Sequence, residues 1–170
     1  MTAYIALLRA VNVGGTGKLP MTELKTMCEK AGFAKVKTFI ASGNVVFQSS
    51  KSEALVKKAL ESALEAYAGK HVGVAVRTAA EMAAVLAANP FPEMPGNATV
   101  AIFLDHSPPD DALEKVSGQK DEQMRLGVRE IYVYYGEGMG QSKLKIPAAK
   151  AGTARNMNTI AKLAEMAAVL

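Results

Sequence analysis

A three-residue polar turn, Ser42-Gly43-Asn44, is all that separates two apolar stretches, Val36 to Ile40 and Val45-Val46-Phe47. Two strand-like runs so closely joined form a hairpin. Around it the signals alternate. Residues 3–9 read as a strand. Pro20 opens a helix whose apolar face is Met21, Leu24, Met27, Cys28 and Ala31, and Gly32 ends it. After the hairpin, Ser52 caps a second helix with the stripe Leu55, Val56, Ala59, Leu60, Ala63, Leu64 and Tyr67, closed by Gly69. Val72, Val74 and Val76 then alternate as a fourth strand. The order β-α-β-β-α-β is the ferredoxin-like arrangement, an antiparallel sheet with both helices on one face.

The second half repeats part of this order. Thr78 caps a short alanine-rich helix ending near Ala88, and Asn89-Pro90-Phe91-Pro92-Glu93-Met94-Pro95-Gly96 is a linker that no helix can cross. Val100 to Leu104 reads as a strand, Ser107-Pro108-Pro109 starts a helix through about Val116, and Asp121 to Leu126 and Glu130 to Tyr135 read as two more strands. Ser142-Lys143-Leu144 begins a short helix. A last helix runs from about Asn156 to the end, capped by Thr153 or Asn156. The expectation is an α+β chain of two ferredoxin-like (βαββαβ-type) subdomains with antiparallel sheets and a C-terminal helix. Residues 1–78 form the first subdomain, 79–98 a helix and Pro-rich linker, and 99–170 the second, its C-terminal helix packing back on the first.

Composition excludes several function classes. No apolar run approaches the ~18 residues of a membrane span, and no secretory leader is recognisable, so a cytoplasmic protein is expected. A single cysteine excludes an internal disulfide. With only His71 and His106 beside it, no zinc cluster is in view. Neither metal nor organic cofactor is expected. A net charge of +4 suits an anionic ligand but, without a basic stripe, argues against nucleic acid.

Two apparent nucleotide motifs fail on spacing. Gly17-Lys18 would need glycine at Asn12 and Ser or Thr at Leu19 to make a P-loop. Gly136-x-Gly138 has Gln141 where the dinucleotide fingerprint needs its last glycine. The tyrosines at 132, 134 and 135 lack the interleaved cations of an RNA-binding sheet.

The candidate site lies where the first strand runs out. Arg9 brings a five-donor fork, Asn12 both donates and accepts, and Gly14 and Gly15 let a ligand approach the main chain. In the ferredoxin-like order the first and third strands are antiparallel neighbours, which places Arg9, Asn12, Ser42 and Asn44 at one sheet end. Arg155, Asn156 and Asn158 sit at the start of the last helix, where free N–H groups favour an anion. If that helix start docks beside the first strand, all nine residues share one pocket for a phosphate or carboxylate. The first reading is therefore binding of a small anionic ligand, a nucleotide among the candidates. One alternative is an enzyme acting on such a ligand by positioning and electrostatics, with no catalytic residue assignable. Another is an interaction or scaffold module forming a homodimer through the tyrosines of the late strand.

The segments Tyr4 to Gly15, Leu19-Pro20-Met21, Ala41 to Phe47, Asn89-Pro90-Phe91-Pro92, Ser142-Lys143-Leu144 and Thr153 to Ile160 together resemble a bacterial family of unknown function, DUF1697. The resemblance spans the chain in the family's order and implies two ferredoxin-like subdomains, with no established activity. The chain departs from the family pattern at Ala10, where glycine is usual, and at Met157, where tryptophan is usual.

Overall fold

The computed structural model describes residues 1–12, 18–136 and 138–170. The chain divides into two compact units, residues 1–82 with 162–170, and residues 83–161.

The first unit carries the sheet β2-β3-β1-β4, with β1 Thr2–Leu8, β2 Ala34–Thr38, β3 Asn44–Ser49 and β4 Val74–Thr78. All neighbours are antiparallel. Helix α1, Met21–Lys30, follows β1, and α2, Glu53–Ala68, follows β3. Ser52 accepts the Leu55 N–H at the start of α2. The helices bury Leu24, Cys28, Val56, Leu60 and Leu64 against Tyr4, Ala6, Leu8, Val45, Phe47, Val74 and Val76 of the sheet. Phe33 stacks on Phe47 at 4.3 Å between ring centroids. This is the ferredoxin-like unit read from the sequence.

Helix α3, Ala79–Ala87, starts on a reciprocal cap. Thr78 Oγ1 accepts from the Glu81 N–H and Glu81 Oε1 accepts from the Thr78 N–H.

The second unit carries β5 Thr99–Phe103, β6 Gln123–Leu126, β7 Glu130–Tyr134 and β8 Thr153–Asn156 in the order β6-β7-β5-β8, again antiparallel. Helix α4 is Met157–Ala168. Three expectations are corrected here. The helix foreseen from Ser107 to Val116 is a single 3-10 turn, Ala112–Lys115. Two successive prolines withhold N–H groups before it, and Gly118, at φ 72°, follows it, so there is room for one turn. Ser142-Lys143-Leu144 is not helical but follows the 3-10 turn Met139–Gln141. An antiparallel bridge from Lys145 to Ser117 and the proline at 147 keep this segment extended. Finally, Thr153–Asn156 is the edge strand that completes the sheet, rather than the approach to a helix. Its alternation was hidden because one inward residue is an arginine: Thr153 and Arg155 are buried and Ala154 is exposed.

Candidate functional site

The register Leu7↔Asn44 brings the end of β1 beside the start of β3, and the Leu8 N–H donates to Gly43 O at 2.8 Å. Arg9, Asn12, Ser42 and Asn44 are therefore gathered at one sheet end. Gly43 is needed there. Its φ is 92°, and a Cβ would lie 2.7 Å from Val11 Cγ2 and 2.9 Å from Leu8 Cβ.

The two asparagines hold the loops together. Asn12 Nδ2 donates to Leu19 O at 2.9 Å and to Ala41 O at 2.8 Å, while its Oδ1 accepts the Leu19 N–H at 2.6 Å. It thus ties the approach to α1 to the β2–β3 turn. Asn44, fully buried, donates to Phe39 O and to Ser42 Oγ, both at 2.9 Å. Arg9 is exposed and anchored by its main-chain N–H on Gly73 O at 2.9 Å. Gly14 and Gly15 lie outside the described residues.

Three non-glycine residues around this end hold a left-handed backbone: Ala10 at φ 55°, Asn12 at 56° and Ile40 at 52°. Asparagine tolerates that region; alanine and especially a β-branched isoleucine do not. Strain of this kind gathers at sites whose geometry is over-determined by their surroundings.

Beside it opens a cavity of about 240 Å³, lined by Ala10, Val11, Lys18 and Leu19 on one side and by Tyr67, Ala68, Lys70 and Val72 on the other. Two lysines and a tyrosine line it together with apolar residues. The sequence reading had not placed Lys70 or Tyr67 there. The available signal was Gly69, which ends α2 in a left-handed conformation immediately before Lys70.

Arg155, Asn156 and Asn158 belong to the second unit. Arg155, 7% exposed, lies on β8 opposite Ala101, and its Nη1 donates to Thr153 Oγ1 at 2.7 Å and to Ala154 O at 2.9 Å. Burial pushes its guanidinium down to about 10, still charged at neutral pH. Asn156 Oδ1 accepts the Thr159 N–H at 2.9 Å and so caps α4. Asn158 is exposed. A second buried arginine, Arg77, sits on β4 opposite Ile5 with Nη1 on Val76 O. It could have been noticed as the cation in an otherwise apolar alternating strand.

Among the described residues no group of three or more His, Cys, Asp or Glu could hold a metal ion, and no helix is long and apolar enough to cross a membrane. Cys28 is buried among α1 and sheet residues, which pushes its thiol up to about 12 and makes it a poor nucleophile.

The sequence profile of the family described as "Protein of unknown function (DUF1697)" matches residues 1–132. The chain belongs to the DUF1697 family. A solved structure of a conserved bacterial protein from Streptococcus pneumoniae is similar at 25% sequence identity with a TM-score of 0.80, covering 98% of each chain. No curated protein matches the chain. In this DUF1697 chain Ala10 occupies a left-handed conformation, at φ 55°, that glycine adopts without steric cost.

Proposed function

We propose that the chain binds a small anionic ligand, carrying a phosphate or carboxylate, at the end of the first sheet. The observation that carries this reading is the cavity between Lys18 and Lys70, floored by apolar side chains and bordered by Tyr67. Arg9, at the same sheet end, adds a planar fork suited to bidentate recognition. Asn12, Ser42 and Asn44 shape the loops. The cluster of left-handed residues at 10, 12 and 40 supports the reading, since strained backbone is retained where a loop must present fixed groups. Arg155 bonds within its own strand and Asn156 caps α4, and the reading requires neither these two nor Asn158.

The test is a thermal-shift panel of inorganic phosphate, small carboxylates and mononucleotides. A ligand at a hundredfold excess over its Kd adds about 2.7 kcal/mol, which raises Tm by roughly 5 °C or more for a chain of this size. The shift should vanish in the Lys18→Ala/Lys70→Ala double variant and shrink in Arg9→Ala. A shift from no member of the panel, or one that survives all three substitutions, removes the reading.

A further inference from the structure

The cavity at the end of the first sheet is lined in a way that narrows what it takes. Val11, Leu19, Leu64 and Val72 in its lining are buried members of the first unit's hydrophobic core. The core therefore reaches the surface here as the floor of an open depression. The rest of the lining is different. Lys18, Lys70, Tyr67 and Ala68 are exposed, and among the described residues that line the cavity there is no Asp or Glu. An anion meets two cations there and no opposing carboxylate.

The floor is set by bonds that need no ligand. Asn12 holds Leu19 at both ends, with Oδ1 accepting its N–H at 2.6 Å and Nδ2 donating to its carbonyl at 2.9 Å. The Arg9 N–H, on Gly73 O at 2.9 Å, fixes the segment that carries Val72. The Gly69 N–H, on Glu65 O at 2.8 Å, closes α2 between Ala68 and Lys70. Apolar surface held open to water in this way gains free energy when hydrocarbon covers it.

Size and lining together select among anions. The volume is about 240 Å³. An apolar cavity of ~150 Å³ takes benzene, whereas drug-sized ligands occupy ~300–1,000 Å³. A mononucleotide, with its base, sugar and phosphate, is too large to be enclosed. Inorganic phosphate engages the lysines and leaves the floor wet. A neutral hydrocarbon covers the floor and leaves the lysines unused. A carboxylate is the smallest anionic head that leaves room for an apolar body, and each ammonium has three donors to offer it.

We infer that the ligand of this site is a small carboxylate with an apolar body of about six carbons, the hydrocarbon over Val11, Leu19, Leu64 and Val72 and the carboxylate on Lys18 and Lys70. The inference rests on the anion reading above and narrows it.

The experiment is an NMR titration of the full chain with acetate, butyrate, hexanoate, decanoate, hexanol, inorganic phosphate and AMP. Affinity should rise by about threefold for each methylene added from acetate to hexanoate. Decanoate, whose tail outgrows the cavity, should gain no more than about threefold over hexanoate. Hexanol should bind about tenfold more weakly than hexanoate, and Lys18→Ala/Lys70→Ala should weaken hexanoate by about the same factor. Ala68→Leu, at the exposed end of α2, should weaken hexanoate and leave acetate unchanged, with circular dichroism as in the parent chain. A flat series from acetate to hexanoate, hexanol as tight as hexanoate, or hexanoate affinity untouched by either variant overturns the inference. Phosphate or AMP binding more tightly than hexanoate, and losing that binding in the lysine double variant, overturns it while the anion reading stands. Response to none of the probes removes both.

Discussion

Ala10 holds φ 55° immediately after the first strand, a conformation that brings an L side chain against its own carbonyl. Removing the Cβ relieves that clash at some entropic cost in the unfolded chain. Ala10→Gly should therefore raise stability by about 1 kcal/mol, read as a higher urea midpoint at unchanged m. A midpoint that falls would show that the methyl group packs usefully in the cavity it lines. Cys28 gives a second residue-scale expectation. Its thiol is raised from 9.0 to about 12 in the folded protein, first by burial and then by the nearby Glu29 charge. The unfolded chain therefore loses its proton first as pH rises. The associated stability is complete below pH 9 and is lost as pH climbs toward 12, on the order of 1 kcal/mol by pH 10. Cys28→Ala, though less stable at neutral pH, should show a shallower decline between pH 8 and 10. Parallel declines in the two proteins would assign the alkaline loss to other groups.

At the scale of elements, the loop between β1 and α1 depends on one side chain. Asn12 makes three hydrogen bonds, to Leu19 twice and to Ala41 once. Asn12→Ala removes all three and places alanine in a left-handed conformation, so a loss of about 2–3 kcal/mol is expected in denaturant unfolding. A loss below 0.5 kcal/mol, within the scatter of ordinary surface substitutions, would mean that the loop is held by other contacts. This also marks the limit of what the residue string disclosed. The hairpin at Ser42-Gly43-Asn44, the α2 cap at Ser52 and the position of Arg9 were legible because turn chemistry and apolar period are local. The edge strand β8 was not. Arg155 points inward among buried groups, and a cation at an inward position breaks the alternation that announces a strand. The helix foreseen after Ser107 failed for the opposite reason: its cap signal was local and present, but the prolines before it and Gly118 after it left no length for a nucleus to grow. Lys70 and Tyr67 were invisible as site residues because only the packing of α2 onto the sheet brings them to the β1 loop.

At the scale of the whole molecule, the two units repeat one plan. Strand orders β2-β3-β1-β4 and β6-β7-β5-β8 are the same. Each closing strand buries one arginine whose Nη1 returns to the carbonyl before it, Arg77 to Val76 and Arg155 to Ala154. Each then passes into a helix capped by its last polar residue, Thr78 or Asn156. What differs is the cover. In the first unit α1 and α2 press Leu24, Cys28, Val56, Leu60 and Leu64 onto the sheet. In the second, the described residues in the corresponding places hold the 3-10 turns Ala112–Lys115, Met139–Gln141 and Pro147–Ala149, and the side chains that reach the sheet, among them Leu113, Val116, Ile146 and Ala149, are half-buried. Short 3-10 turns have poorer hydrogen-bond geometry than α-helices and bring less apolar area with them. The free energy of local opening follows buried apolar contact. Native-state hydrogen exchange should therefore find the amides of β6 and β7 opening at lower free energy than those of β2 and β3, their counterparts. Equal protection of the two strand pairs would show that the thinner cover costs the second sheet nothing. The reason would then have to be sought on its other face, where Tyr132 donates its hydroxyl proton to Val85 O at 2.8 Å and Phe103 is buried.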